Sequence, residues 1–187
     1  MITPIFTPFE QKTQAAFTAL MWSLSRPGQI QTLLDITVTY PDNFTAIGDT
    51  LLDLETSFYT PDTALDHALS RTTARPEQPR RAAYHFYPTF DETQFDALAQ
   101  AAIGTMLYPD QAATIILSAK LDQGLQLELT GPGIQAKADI RVGGLPEQIW
   151  TLREQKRRYP LGWDMFLVDD NHVIGLPRTT HIAVRSR

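Results

Sequence analysis

Residues 159–184 read YPLGWDMFLVDDNHVIGLPRTTHIAV, and the alternation of apolar and polar positions there decides the fold. Trp163 and the run Met165 to Val168 are apolar, broken only by Asp164. Asp169-Asp170-Asn171-His172 supplies turn chemistry, and Val173 to Leu176 resumes the apolar pattern. Two apolar runs divided by a short polar cluster predict a β-hairpin. A third run follows Pro177, with Thr180, Ile182 and Val184 on one face and His181, Ala183 and Arg185 on the other. A stretch as apolar as 165–168 needs cover on both faces, which places it in the middle of a sheet. Polar residues set into this frame are the first candidates for function: Asp164, Arg178, Thr179, Thr180 and His181.

Upstream, Pro4 and Pro8 give residues 1–10 the look of an extended arm. Phe17, Leu20, Met21 and Leu24 recur at helical spacing and predict an amphipathic helix over 12–24, stopped by Arg26-Pro27-Gly28. Phe44 to Leu54 reads as a second helix, with Gly48 as a weak point. Ser57-Phe58-Tyr59 is a strand candidate. Thr60-Pro61 would cap and open a third helix. After the linker 75–79 come a strand at Ala82–Tyr87 and a helix at Asp91–Ile103. Thr114 to Leu117 and the alternating Leu125, Leu127, Leu129 predict two more strands, and Pro146 opens a last helix with Ile149 and Leu152 inside. Helices crowd the first half and strands the second. The expected fold is therefore one α/β domain over 1–187, a mixed β-sheet flanked by helices.

Net charge is −5 and 20% of residues are charged, the balance of an ordinary globular chain without the basic face of a nucleic-acid binder. There is no cysteine, so this chain cannot supply thiolates to a disulfide, a zinc ribbon or an iron–sulfur cluster. No signal-peptide pattern and no run approaching 18 apolar residues is seen; the expectation is a cytoplasmic chain without a membrane partner.

Phosphate loops of the GxxxxGK[ST] type, GxGxxG and HExxH are all absent. Gly131-Pro132-Gly133 reads as a strand-ending turn, since proline removes one of the N–H donors an anion nest would need. His67, His85, His172 and His181 lack metal-ligand spacing, and no metal is expected. Among the lysines only Lys120, just past a buried strand, is placed to be tested for a Schiff base, and the other partners of pyridoxal phosphate are not recognisable; no cofactor is expected. Arg178-Thr179-Thr180-His181 has the guanidinium, hydroxyls and imidazole that suit a phosphate or carboxylate. The competing reading is structural: Arg178 neutralises Asp164, which would otherwise be an unpaired carboxylate within the fold. Tyr84, Tyr87 and Phe90 fit either a docking surface or core packing.

Several segments together resemble one family. Gln14, Phe17, Leu20-Met21 and Arg26-Pro27-Gly28 match its amino-terminal signature. Gly104-Thr105, Pro109 and Ala113-Thr114, then Leu129 to Ile134, Tyr159 to Asp164 and Leu176 to His181 follow in its order. The family is the H subunit of the bacterial carbon–phosphorus lyase machinery, the phosphonate metabolism proteins called PhnH. Two departures stand out: Thr18 lies where the family usually has arginine, and Tyr159 replaces a phenylalanine. The resemblance implies a fold similar to the large domain of pyridoxal-phosphate-dependent transferases, without the cofactor. It also implies a homodimer in isolation, and G, I and J subunits as partners in the core complex. That machinery joins a phosphonate to the ribose C1 of ATP with release of adenine, and a radical iron–sulfur subunit later breaks the carbon–phosphorus bond. For this chain the expected role is a structural or accessory subunit, not catalytic by itself. An anion- or nucleotide-binding subunit using Arg178–His181, touching phosphonate or ATP within the complex, and an independent small-molecule enzyme are the alternatives.

Overall fold

A computed structural model describes residues 6–185. Residues 1–5 of the expected arm lie outside them, and the rest of the arm is short, because the first helix, α1, runs Pro8–Ser25. Thr7 caps it: its hydroxyl accepts from the Glu10 N–H while the Glu10 carboxylate accepts from the Thr7 N–H, a reciprocal capping box with Pro8 in the first turn. The spacing Thr7-Pro8-Phe9-Glu10 carries that signal, which the extended reading of Pro8 overlooked. The remaining elements are β1 (Gln31–Thr32), α2 (Asp42–Leu51), β2 (Ser57–Tyr59), α3 (Thr63–Leu69), β3 (Arg75–Pro76), β4 (Tyr84–Tyr87) and α4 (Phe95–Ala99). Then follow β5 (Thr114–Ser118), β6 (Lys120–Thr130), β7 (Ala138–Gly143), α5 (Gln148–Lys156), β8 (Asp164–Asp169), β9 (His172–Leu176) and β10 (His181–Val184).

The seven-stranded sheet has the order β1-β9-β8-β5-β4-β2-β3. Strands β3, β2, β4, β5 and β8 are parallel; β8, β9 and β1 are joined antiparallel. The hairpin β8–β9 forms as expected, with Met165 opposite Leu176 and Asp169 opposite His172, and β8 is interior. The third run does not extend that sheet. As β10 it pairs with β6 in a separate three-stranded sheet, β10-β6-β7. Periodicity identifies a strand but not its partner.

Alternation along the central strands divides the core in two. Ile116, Phe166, Val168 and Val173 face α1, α2 and α3, whose Ala16, Leu20, Ile47 and Leu65 cover them. Ile115, Leu117, Met165, Leu167 and Leu176 face the small sheet and α5, through Leu127, Leu129, Ile149 and Trp150. The molecule is thus three-layered, helices on one side and a small sheet with helices on the other. The aromatics Tyr87 and Phe90 are buried in the second cluster and Tyr84 packs on the first, so they are core and not docking surface.

Four helical expectations change. In α1 the buried stripe is Ala16, Ala19, Leu20 and Ser23, while Phe17 and Met21 are exposed. The close approach of α1 to β9 favours small residues: a Cβ on Gly175 would lie 2.5 Å from the Ser23 carbonyl carbon. The third helix is capped by Asp62, which accepts the Leu65 N–H at 2.8 Å, rather than by Thr60. The helix expected over 91–103 is a 3-10 turn at Glu92–Gln94 followed by one short helical segment, and Leu54 lies beyond the end of α2, exposed.

Candidate functional site

The residues singled out from the sequence lie at the end of the large sheet where β5 and β8 begin. Thr114 and Asp164, the first residues of those strands, are register partners. Asp164 Oδ1 accepts the Arg178 backbone N–H at 2.7 Å. The Arg178 side chain returns the contact: Nη2 donates to Asp164 Oδ2 at 2.5 Å and Nε lies 3.2 Å from the same oxygen. Its Nη1 donates to the Pro109 carbonyl in the loop before β5. The ion pair expected between these residues therefore forms, with both side chains 20% exposed. Arg178 joins three segments: β8, the loop preceding β5 and its own turn after β9.

Thr179 is partly exposed in that turn. Thr180 is buried, its hydroxyl without a hydrogen-bond partner, and its carbonyl accepts from Arg153 Nη1 at 2.9 Å. His181 opens β10 with its side chain about half exposed (52%), and its Nδ1 lies 2.8 Å from Glu154 Oε2 and 3.0 Å from Arg157 Nη2. The five candidates are neighbours in the chain fold but face different partners: Asp164 and Arg178 hold each other, Thr180 faces Arg153, and His181 joins a charge cluster on α5.

The hub that sequence reasoning missed is Arg153. It is only 2% exposed, and donates to the carbonyls of Pro177 at 2.7 Å, Leu176 at 3.4 Å and Thr180 at 2.9 Å. Glu154 Oε1, at 3.1 Å, supplies the opposite charge. Burial lowers the Arg153 guanidinium pKa to about 10, against the pull of Glu154 in the other direction. Burial also pushes the Glu154 carboxyl up, but hydrogen bonds from Arg157 and His181 and the charge of Arg153 outweigh it and hold it below the ordinary range. The sequence did contain a signal. Arg153 lies three and four positions after Trp150 and Ile149, on the stripe those buried residues define.

Lys120 is exposed and its ammonium is held by Asp169 at 2.6 Å. Among the described residues no group of three or more His, Asp or Glu side chains is arranged to hold a metal ion. Thr18 borders a cavity of about 450 Å³ between α1 and β1, and its hydroxyl donates to the Gln14 carbonyl at 2.8 Å, so this position offers no cation. No helix among the described residues is long and apolar enough to cross a membrane.

The arrangement is that of a brace. It ties strand ends and loops together, with most of its charge internally matched.

Comparison with known proteins covers nearly the whole chain. The sequence model of the family described as "Bacterial phosphonate metabolism protein (PhnH)" matches residues 4–183. A Stutzerimonas stutzeri protein named "Putative C-P lyase subunit protein HtxG" is 31% identical over 186 residues, covering 93% of this chain and 87% of that protein. The Rhizobium meliloti (strain 1021) protein named alpha-D-ribose 1-methylphosphonate 5-triphosphate synthase subunit PhnH is 30% identical over 189 residues, covering 91% of this chain and 90% of its own length.

Proposed function

This chain belongs to the family of bacterial phosphonate metabolism proteins (PhnH), and on that premise we propose that it is a subunit of the carbon–phosphorus lyase core complex. It stands with the G, I and J subunits while a phosphonate is joined to the ribose C1 of ATP and adenine leaves. Its contribution is structural or accessory, not catalytic by itself. The observation that carries this reading is the likeness along nearly the whole chain to proteins that are themselves named as subunits. The site supports it: Asp164 and Arg178 satisfy each other, and Arg153 and Glu154 are engaged by the fold. The reading places the chain in the cytoplasm with ATP and its partners.

A fold similar to the large domain of pyridoxal-phosphate-dependent transferases, without the cofactor, belongs to the same reading. The parallel run β2, β4, β5, β8 supports it, and the pairing of Lys120 with Asp169 supports the lack of a Schiff base. In isolation the chain pairs with a second copy. The outer face of α1 supports this, because from Thr13 to Ser25 the helix has no charged residue and shows Phe17, Met21 and Trp22 to solvent. Such a face can meet its own copy without setting like charges against one another.

The test is coexpression with the G, I and J subunits followed by size-exclusion chromatography. One assembly containing all four polypeptides is expected; a chain that elutes apart from the other three contradicts the reading.

A second reading, an anion or nucleotide phosphate held at Arg178–His181, has one observation in its favour: His181 is half exposed with the Arg157 guanidinium beside it. ATP or methylphosphonate would then raise the melting temperature, since binding only the folded state stabilises it, and Arg178→Ala would abolish the rise. No rise in the wild-type chain eliminates this reading.

A further inference from the structure

A sheet edge presents unpaired N–H and C=O groups that another strand can take up. The two sheets described here have edges at β1, β3, β7 and β10. In β3 the Arg75 and Glu77 N–H groups donate inward to the Thr56 and Phe58 carbonyls, so the outward position falls on Pro76, which has no N–H. Strand β1 is only two residues long. On β10 the outward Ile182 N–H is taken by the Glu154 carboxylate at 3.3 Å. The last edge, β7, runs for six residues, and its guards are two side chains of opposite charge, Asp139 and Arg141.

The ladder shows which groups of β7 face outward. Arg185 N–H donates to the Gln126 carbonyl at 3.0 Å, so Gln126 and Glu128 aim their backbones at β10 and Leu127 and Leu129 aim theirs at β7. Opposite Leu129 and Leu127 stand Ala138 and Ile140, which leaves the N–H and C=O groups of Asp139 and Arg141 pointing away from the sheet. Both side chains are exposed and neither has an ion pair among the described residues; the Arg141 guanidinium reaches only the Gly124 carbonyl, at 3.4 Å. Beside the edge lies a groove of about 390 Å³, with Gly28, Ile30, Ile140 and Ile174 along it. The uncharged helix face named above adjoins this edge. The last turn of α1 meets the loop between β6 and β7, where a Cβ on Gly133 would come 2.8 Å from the Ser25 carbonyl oxygen, and Gly28 packs against Ala138 and Ile140.

From this we infer that β7 pairs antiparallel with β7 of a second copy, about a twofold axis at Ile140, joining the three-stranded sheets of the two copies into one. The inference rests on the homodimer reading above and supplies that dimer with its hydrogen-bonded contact. Charge complementarity selects the occupant. With Ile140 opposite itself, Asp139 lies opposite Arg141 of the second copy and Arg141 opposite the second copy's Asp139. These are the residues whose backbones face out, so each pair exchanges N–H and C=O and sets a carboxylate beside a guanidinium on the solvent face. On the other face Ile140 meets Ile140 at the groove, with Ala138 opposite Val142. Sliding the register by two residues would oppose Asp139 to Asp139 or Arg141 to Arg141, and a slip of one would set Arg141 against Ile140. The strand is self-complementary in one register.

The experiment is sedimentation equilibrium of the full chain as wild type, as Asp139→Arg, as Arg141→Asp, and with both substitutions together. Both positions are exposed, so circular dichroism is expected to show every variant folded. Either single reversal opposes like charges at both pairs and should weaken the dimer roughly 30-fold or more. The double exchange should restore it, and the two single variants mixed should form the dimer that neither forms alone. In the wild-type dimer the Asp139 and Arg141 amides should exchange slowly with deuterium. Undiminished dimerisation of the single reversals, or fast exchange at those amides in the dimer, overturns the edge and leaves the homodimer standing. A wild-type chain that stays monomeric overturns the homodimer reading and the edge with it. Reversals that spare the dimer but abolish capture of coexpressed G, I and J subunits assign the edge to another polypeptide and overturn the choice of a second copy.

Discussion

Arg153 and Arg178 both grip the chain between β9 and β10, one from α5 and one from within the crossover, and the contrast between them is that of a buried network against a part-exposed pair. Arg153 is 2% exposed and its donors go to three carbonyls and Glu154. Arg178 is 20% exposed, pairs with Asp164 and reaches outward to the loop before β5. Removing a partner from a buried ionic network leaves groups that water cannot reach, whereas a part-exposed pair is replaced in part by solvent. The inner region should therefore contribute more to stability than the outer one, which fastens the loop before β5.

The largest effect that would sharpen this contrast is expected from Arg153→Ala. It takes the buried guanidinium donors away from the carbonyls of Leu176, Pro177 and Thr180 and leaves Glu154 with Arg157 and His181 alone as charged partners, and should cost about 3–5 kcal/mol in urea unfolding. A loss comparable to that of a surface substitution would break the distinction between the two regions.

A second inner group should show itself through pH. His85 in β4 is fully buried, its Nδ1 3.2 Å from the Tyr87 hydroxyl and its Nε2 without a hydrogen-bond partner. Burial pushes its pKa down to about 4, and the carbonyls of Pro79 and Ala82 nearby offset little of this. The unfolded chain, with histidine near its ordinary value of about 6.5, then binds the proton more readily than the folded one. Stability from this group is complete above roughly pH 6.5, falls as pH drops toward 4, and levels off below; the loss is on the order of 2–3 kcal/mol. His85→Phe should remove that part of the pH dependence. A wild-type stability flat between pH 7 and 4.5 would contradict it.

Smaller again is Asp164→Asn. The amide keeps an acceptor for the Arg178 N–H but loses the charge facing its guanidinium. About 1–2 kcal/mol is expected, discounted for the one-fifth exposure of both side chains. Thermal unfolding at two salt concentrations checks it; unchanged stability would mean that the pair does not hold the loops.

How much of this was legible in the chain itself follows the same division. The run at 165–168 needed cover on both faces, so the interior hairpin could be read directly, and the need to neutralise Asp164 pointed to Arg178. Arg153 escaped because an arginine on a helix is normally assigned to the outer face; only its position on the Ile149–Trp150 stripe argued otherwise. The buried side of α1 was misjudged for a related reason. Phe17 and Met21 fit the apolar period, yet the tight approach to Gly175 selects Ala16, Ala19 and Ser23 for the contact. The move of β10 into a second sheet depends on its partner β6, roughly 50 residues distant in the chain, which no local pattern encodes.

The subunit account is tested most directly by following adenine release from ATP with methylphosphonate present, using this chain alone, the G, I and J subunits without it, and all four together. The account predicts release only from the complete set. Adenine released by this chain alone, or at full rate by the other three without it, would contradict it.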